Sequence, residues 1–190
     1  MSLVNLTCEY KSNPLGIDVQ DPGLSWQLKS DERNQWQNAY RIIVSDDPDL
    51  LNAEKGNIWD SKKVSSDQSI LVKYAGASLK SGEKYYWKVK TWDKNDKESK
   101  WSETAYWQMG LLSDSDWKNA KWIGNEDFQD EERLVPGLHQ GLEKNSDKAK
   151  KRTIIPLFRK DFSISKKIIS ATLYISGLGQ YEASINGKKI

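Results

Sequence analysis

Apolar and polar residues alternate in short runs along the first hundred positions, and that period decides the fold class. In Leu24-Ser25-Trp26-Gln27-Leu28 the residues Leu24, Trp26 and Leu28 share one face. Tyr40, Ile42 and Val44 do the same in the next run, and Tyr85, Trp87, Val89 and Thr91 in the longest one. Lys88 and Lys90 fall on the opposite face of that last run, so it reads as a strand with one wet side. Turn signals separate the runs at fairly regular spacing, which predicts an all-β sandwich from Val4 to about Met109. Trp26 and Trp87 are predicted core residues, because burying such a ring contributes several kcal/mol. By strand parity Trp92 lies on the lysine-bearing face and is expected to meet a neighbouring domain or to stack on a sugar. The pattern leaves Trp107 without an assigned face.

The spacing Leu79-x-x-Gly82-x-x-Tyr85-x-Trp87-x-Val89 resembles the corner before the sixth strand of fibronectin type III domains. That resemblance makes Tyr85 the corner tyrosine, Trp26 the core tryptophan of the second strand, and Trp101-Ser102 the opening of the last strand.

A polar turn, Ser113-Asp114-Ser115-Asp116, marks the expected boundary between a domain at 1–112 and a second at 113–190. Two short charged blocks, Glu126 to Glu132 and Lys148 to Arg152, flank an aperiodic stretch, so a long mobile loop is expected at 125–153. Beyond it, Pro156 to Phe162 and Ala171 to Ser176 read as strands. Tyr181, Ala183 and Ile185 then alternate with polar residues, which places Tyr181 on a core face, and Asn186-Gly187 is the pair best suited to a two-residue hairpin turn. A returning strand needs roughly five residues. Only Lys188, Lys189 and Ile190 follow, so the chain reads as a fragment of a larger protein with an open strand edge that would pair with another chain.

Composition removes several function classes. The 190 residues fit one large or two ordinary domains, and a formal net charge of +2 with scattered lysines is no nucleic-acid footprint. No apolar run approaches the roughly 20 residues of a membrane span, and no signal-peptide pattern opens the chain. Cys8 is the sole cysteine, so there is no internal disulfide or thiolate metal site, and it reads as a small buried residue. The compartment stays open between cytoplasmic and exported.

Candidate chemistry is sparse. His139 is the sole histidine and has no partners at triad or zinc spacing. The acidic run Glu126 to Glu132 lacks an ordered calcium-loop pattern and reads as solvated surface. Gly177-x-Gly179 precedes a strand, so it is a turn and no phosphate cradle. No catalytic, cofactor or metal residue is therefore assigned. Sugar recognition uses an exposed aromatic plane beside hydrogen-bonding groups, and Trp92, Tyr181, Glu182 and Asn186 supply those types. Asn186 also has a complete explanation as a turn residue.

Read in order, Asn13-Pro14-Leu15-Gly16-Ile17-Asp18, Ala39-Tyr40, Trp101-Ser102, Met109-Gly110-Leu111-Leu112, Trp117 with Trp122-Ile123-Gly124, Phe158 to Phe162, and Gly177 to Glu182 with Ile185-Asn186-Gly187 form a set. Together they resemble the N-terminal portion of a bacterial α-L-rhamnosidase, with the stretch between Gly124 and Pro156 as the main departure. The resemblance implies a fibronectin III-like sandwich followed by the first strands of a jelly-roll-like sandwich. It also implies a parent that hydrolyses terminal α-L-rhamnosyl residues with inversion, using two carboxyl groups about 6.5–9.5 Å apart on a downstream helical barrel. None of that barrel is in this chain. The expected role is an accessory fragment that is itself inactive, with no cofactor, partnered by the rest of its polypeptide and by rhamnose-containing carbohydrate. Two other readings stay open: an autonomous carbohydrate-binding module, and a purely structural or adhesion-type β tandem.

Overall fold

The computed structural model describes residues 1–124 and 156–190. The expected loop at 125–153, with His139 and both charged blocks, lies outside the described residues. The chain divides into two compact units, Met1–Lys118 and Asn119–Ile190.

The first unit is the expected sandwich. Its strands are β1 (Ser2–Cys8), β2 (Gly23–Lys29), β3 (Gln37–Ser45), β4 (Trp59–Asp60), β5 (Val64–Ser65), β6 (Val72–Lys73), β7 (Lys84–Asp93) and β8 (Ala105–Gln108), with a one-turn helix α1 (Pro48–Asn52) after β3. The first sheet runs β1-β2-β6; the second runs β4-β3-β7-β8, with β5 also paired to β3. Every strand pairing is antiparallel, which suits one buried and one wet face per sheet.

The predicted inner faces form the core. Leu24, Trp26, Ile42, Val44, Trp87 and Val89 are buried, and so is Trp107, the residue whose face the pattern left open. Aromatic edges run from Trp59 to Tyr74 (5.3 Å between centroids), on to Trp107 (6.1 Å) and then Tyr85 (5.6 Å). Such offset contacts add to the area term. One polar bridge crosses the core between the sheets. Trp26 Nε1–H donates to Gln37 Oε1 at 3.0 Å, and the Gln37 amide donates to the Ser66 and Gln68 carbonyls. Gln37 is almost completely buried, yet all three of these bonds are made, as a buried amide requires.

One expected feature takes physical form here, and one motif of the ordered set finds its place. The Tyr85 hydroxyl accepts a hydrogen bond from Lys80 N–H at 2.9 Å, which closes the corner before β7. The Asn13 to Ile17 segment lies along β8: Asn13 Oδ1 accepts from Tyr106 N–H, Pro14 O from Gln108 N–H, and Ile17 N–H donates to Gln108 O. Gly16 takes a φ of +78° in that segment, a conformation glycine adopts at little cost. One expectation is corrected. Trp101-Ser102 does not open the last strand, which begins at Ala105; Ser102 instead seals the edge of β7, as described below.

A 3₁₀ helix, Asp114–Trp117, follows β8. The Asp116 carboxylate accepts from Leu112 N–H (3.2 Å), Ser113 N–H (3.0 Å), Ser113 Oγ (2.9 Å) and the Ser81 hydroxyl. These bonds tie residues 112–116 back to the Ser81 corner, so the compact first unit extends to Lys118.

In the second unit the expected hairpin is present. Ser184–Ile185 (β9) pairs with Lys188–Lys189 (β10), and Ile190 N–H donates to Ala183 O. Asn186 and Gly187 sit at φ +50° and +77°, as a primed turn demands. The strands expected at Pro156 to Phe162 and Ala171 to Ser176 carry no ladder. Alternation only fixes which side chains share a face, whereas a strand needs a neighbour to accept its hydrogen bonds. None lies beside these segments among the described residues. Tyr181 is also corrected: it is 57% exposed rather than core, since no opposing apolar layer covers its face among the described residues.

Candidate functional site

The outer face of the larger sheet concentrates the first unit's unusual chemistry. β3 and β7 lie side by side with Ala39 opposite Trp92, Arg41 opposite Lys90 and Ile43 opposite Lys88. Lysines are seldom buried without a partner, yet Lys90 is only 9% exposed. Its Nζ sits 3.2 Å from Glu98 Oε2 and lies over the rings of Trp92 (5.4 Å) and Trp101 (5.0 Å). The negative faces of the two indoles and one carboxylate replace the water it has lost. Lys63 covers Trp92 as well, at 4.7 Å.

Arg41 extends this array. Its guanidinium lies 5.7 Å from the Trp101 ring and forks onto Asp60, Nε to Oδ1 at 2.9 Å and a terminal nitrogen to Oδ2 at 2.8 Å. Lys62 adds its backbone N–H and its ammonium to the same carboxylate. The Arg41 hydrogen bonds, helped by those of Lys62, hold Asp60 well below the usual carboxylate range.

Trp101 reaches this face because of a bulge. Ser99 N–H donates to Thr91 O at 2.8 Å and Ser102 N–H to Val89 O at 2.9 Å, so Lys100 and Trp101 together oppose the single residue Lys90. The return bonds go to side chains: Thr91 N–H donates to Ser99 Oγ and Val89 N–H to Ser102 Oγ. Two serines thus stand in for ladder carbonyls and let the chain take an extra residue, which re-aims the side chain between them. The result is an open groove of about 380 Å³ lined by Glu54, Lys90, Glu98, Ser99, Lys100 and Trp101. The Trp101 Nε1–H is shut off from solvent and has no acceptor.

Strand parity located Trp92 correctly on the lysine-bearing face, where it is half-buried under two ammonium groups. The other sugar-contact candidates belong to the second unit. Tyr181 and Glu182 share a small cleft of about 240 Å³ with Leu173, Ile175 and Lys189, and Lys189 Nζ holds the Glu182 carboxylate at 2.6 Å. Asn186 occupies the hairpin turn with a backbone role. The alternation placed Lys90 on this face, but it did not single out Glu54 or Glu98, and Trp101 was read as a strand opening because a bulge shifts the register around it. The available signal was the pair Ser99 and Ser102 bracketing a tryptophan opposite a lysine-bearing strand.

Cys8 is closed as a nucleophile. It is 1% exposed, and burial, reinforced by the nearby Glu9 charge, pushes its thiol up to about 12. The thiolate is the reactive form, so iodoacetamide at neutral pH should leave the folded protein unmodified and alkylate Cys8 only after denaturation. Rapid labelling of the folded protein, read by mass spectrometry, would contradict this burial.

Comparison with known proteins places the chain in a family. A family model described as the Rha78A-like N-terminal immunoglobulin domain matches residues 3–113. An α-L-rhamnosidase of Formosa agariphila is 38% identical over 186 residues, covering 95% of this chain and 19% of that protein. An α-L-rhamnosidase structure from Dictyoglumus thermophilum matches with a TM-score of 0.64 and 39% identity over 67% of this chain and 14% of that one. The Streptomyces avermitilis α-L-rhamnosidase complexed with L-rhamnose matches at 0.59 and 38% identity, covering 62% of this chain and 11% of its own. The chain thus spans about a fifth of the length of the curated relatives it matches.

Proposed function

This chain belongs to the family of Rha78A-like N-terminal immunoglobulin domains, and on that premise we propose that it is an accessory front portion of an α-L-rhamnosidase, inactive by itself. The observation that carries the proposal is the alignment of 95% of this chain with 19% of an α-L-rhamnosidase at 38% identity. The parent would hydrolyse terminal α-L-rhamnosyl residues with inversion, and its paired acids would lie outside the residues present here.

The displaced carboxyls among the described residues are not suited to the part of the acid. An inverting glycosidase needs a carboxylic acid whose pKa is raised, so that it holds a proton to give to the leaving oxygen. Among the described residues, the carboxyls with displaced titration all move the other way. Arg41 lowers Asp60, the backbone N–H groups of Asn95 and Lys97 lower Asp93, and the Ser81 and Ser113 hydroxyls lower Asp116. Each is held as the ionised carboxylate and carries no proton to donate at neutral pH.

The second unit supports the accessory half. Leu157, Ile169 and Leu178 are each more than nine-tenths exposed, an arrangement that costs hydrophobic free energy. Further strands from the remaining rhamnosidase polypeptide would cover them and give the open segments their ladder partners. Purified chain incubated with p-nitrophenyl α-L-rhamnopyranoside should release no nitrophenol above buffer. Sustained turnover by a homogeneous preparation would overturn the proposal.

A further inference from the structure

We propose that the groove over Lys90, between the Trp101 indole and the carboxylates of Glu54 and Glu98, is a binding site for a neutral sugar residue. The inference stands on the bulge and its neighbours, and it holds whether or not the chain serves a rhamnosidase.

The geometry is built rather than incidental. Two serine hydroxyls replace backbone acceptors to create the bulge that carries Trp101, and the floor is a lysine fixed by two indoles and a carboxylate. The groove's volume, about 380 Å³, lies within the range of small-molecule sites. Only two buried side-chain polar atoms among the described residues lack a partner, Trp101 Nε1 and Gln35 Oε1. Buried polar groups are nearly always satisfied, so the unmade bond of Trp101, a residue of the groove lining, is one that an added acceptor could complete. Bulk water does not reach this donor, so a ligand oxygen bonding to it displaces no hydrogen-bonded water. Because this N–H has no exposed surface, a ligand oxygen reaches it only with a local movement of the groove lining, of which the Glu98 side chain is 58% exposed.

The lining selects the class of ligand. Two carboxylates and two ammonium groups balance, so neither a free anion nor a free cation gains a net attraction. An apolar ligand would strand these charges. A sugar hydroxyl both donates and accepts, so a polyol can give hydrogen bonds to Glu54 and Glu98 while accepting from Lys100 and the indole N–H. The apolar part of the half-buried Trp101 ring meets the C–H face that a pyranose presents beside its hydroxyls.

The test is a ¹⁵N NMR titration of the full 190-residue chain with L-rhamnose and methyl α-D-galactopyranoside as neutral probes and D-glucuronate as the charged one. The Trp101 indole N–H resonance and the Glu98 and Ser99 amides should move saturably with at least one neutral sugar, with a midpoint in the millimolar range, about −4 kcal/mol or weaker. Trp101→Phe, which keeps a ring and removes the donor, should weaken binding by about fivefold or more. Glu54→Ala, on an exposed turn outside the core, should do the same in a spectrum that otherwise overlays the parent. The proposal fails if no neutral probe moves these signals up to about 100 mM, a Kd beyond which specific contact is negligible. It also fails if glucuronate alone moves them, or if both variants bind as well as the parent. Rhamnosidase assays are indifferent to all of these outcomes, so the two readings fail separately.

Discussion

Trp26→Ala is expected to destabilise the first unit by about 3–5 kcal/mol, the range for emptying a buried aromatic site. Three losses coincide in this substitution. The ring is 1% exposed, at the centre of the sandwich. Its edge-on contact with Tyr40, 5.4 Å between centroids, joins β2 to β3 across the two sheets. Its N–H is also a donor to Gln37, so removal leaves a buried amide oxygen without its hydrogen bond, a cost of about 1–3 kcal/mol by itself. Domains of this kind have only about 5–15 kcal/mol of total stability, so the variant should unfold at much lower urea concentration or accumulate as aggregate. Trp26→Phe separates the terms. It retains most of the apolar area while still orphaning Gln37, and should lose less than half as much. Urea midpoints followed by far-ultraviolet circular dichroism check both values, and equal stability of Trp26→Ala and the parent would contradict the bridged-core account.

Asp60 carries the second large effect, and it is visible in pH as well as in stability. Its carboxylate receives two bonds from Arg41 and two from Lys62, while its side chain is 17% exposed and that of Arg41 26%. Asp60→Asn removes the charge and leaves the guanidinium half-buried beside a weaker acceptor, at a cost of about 2 kcal/mol for charge-assisted bonds in a partly screened site. The folded-state pKa lies below that of the unfolded chain. The pair's contribution is therefore complete above the ordinary aspartate value of about 4 and drains away as pH falls through the depressed range. The parent should lose stability steeply below about pH 4, whereas the gap between parent and Asp60→Asn should narrow there. A gap that stays constant from neutral pH down into the acid range would show that the pair contributes nothing to folding.

What the sequence made legible depends on how local each feature is. β7 could be read directly, because Tyr85, Trp87, Val89 and Thr91 alternate with Tyr86, Lys88 and Lys90 over a full strand, and the same parity put Trp92 on the lysine face. Asn186-Gly187 needed only two residues to specify a turn. Trp101 was assigned to the opening of the last strand by resemblance, whereas the extra residue between Thr91-Ser99 and Val89-Ser102 turns it onto the outer face, which no alternation around it announces. Gln37 reads as a polar position on a strand, and nothing in its neighbours announces a bridge to Trp26 eleven residues away. In the second unit the alternation at 171–176 and 181–185 specified faces, but it could not supply the neighbouring strands that would make those faces a core. Parity brought Trp92 among the sugar-contact candidates and residue type brought Tyr181, Glu182 and Asn186, while the groove over Lys90 needed the three-dimensional fold to appear.

The accessory role in an α-L-rhamnosidase is the central claim, and the coding sequence downstream of Ile190 tests it most directly. The account predicts an open frame that first completes the strand pairing of Ser184 to Lys189. The frame should then run through further β structure into a helical barrel that carries two carboxylates spaced for inversion. A stop codon immediately after Ile190 would contradict it, and the chain would then have to be explained by what its own two units bind.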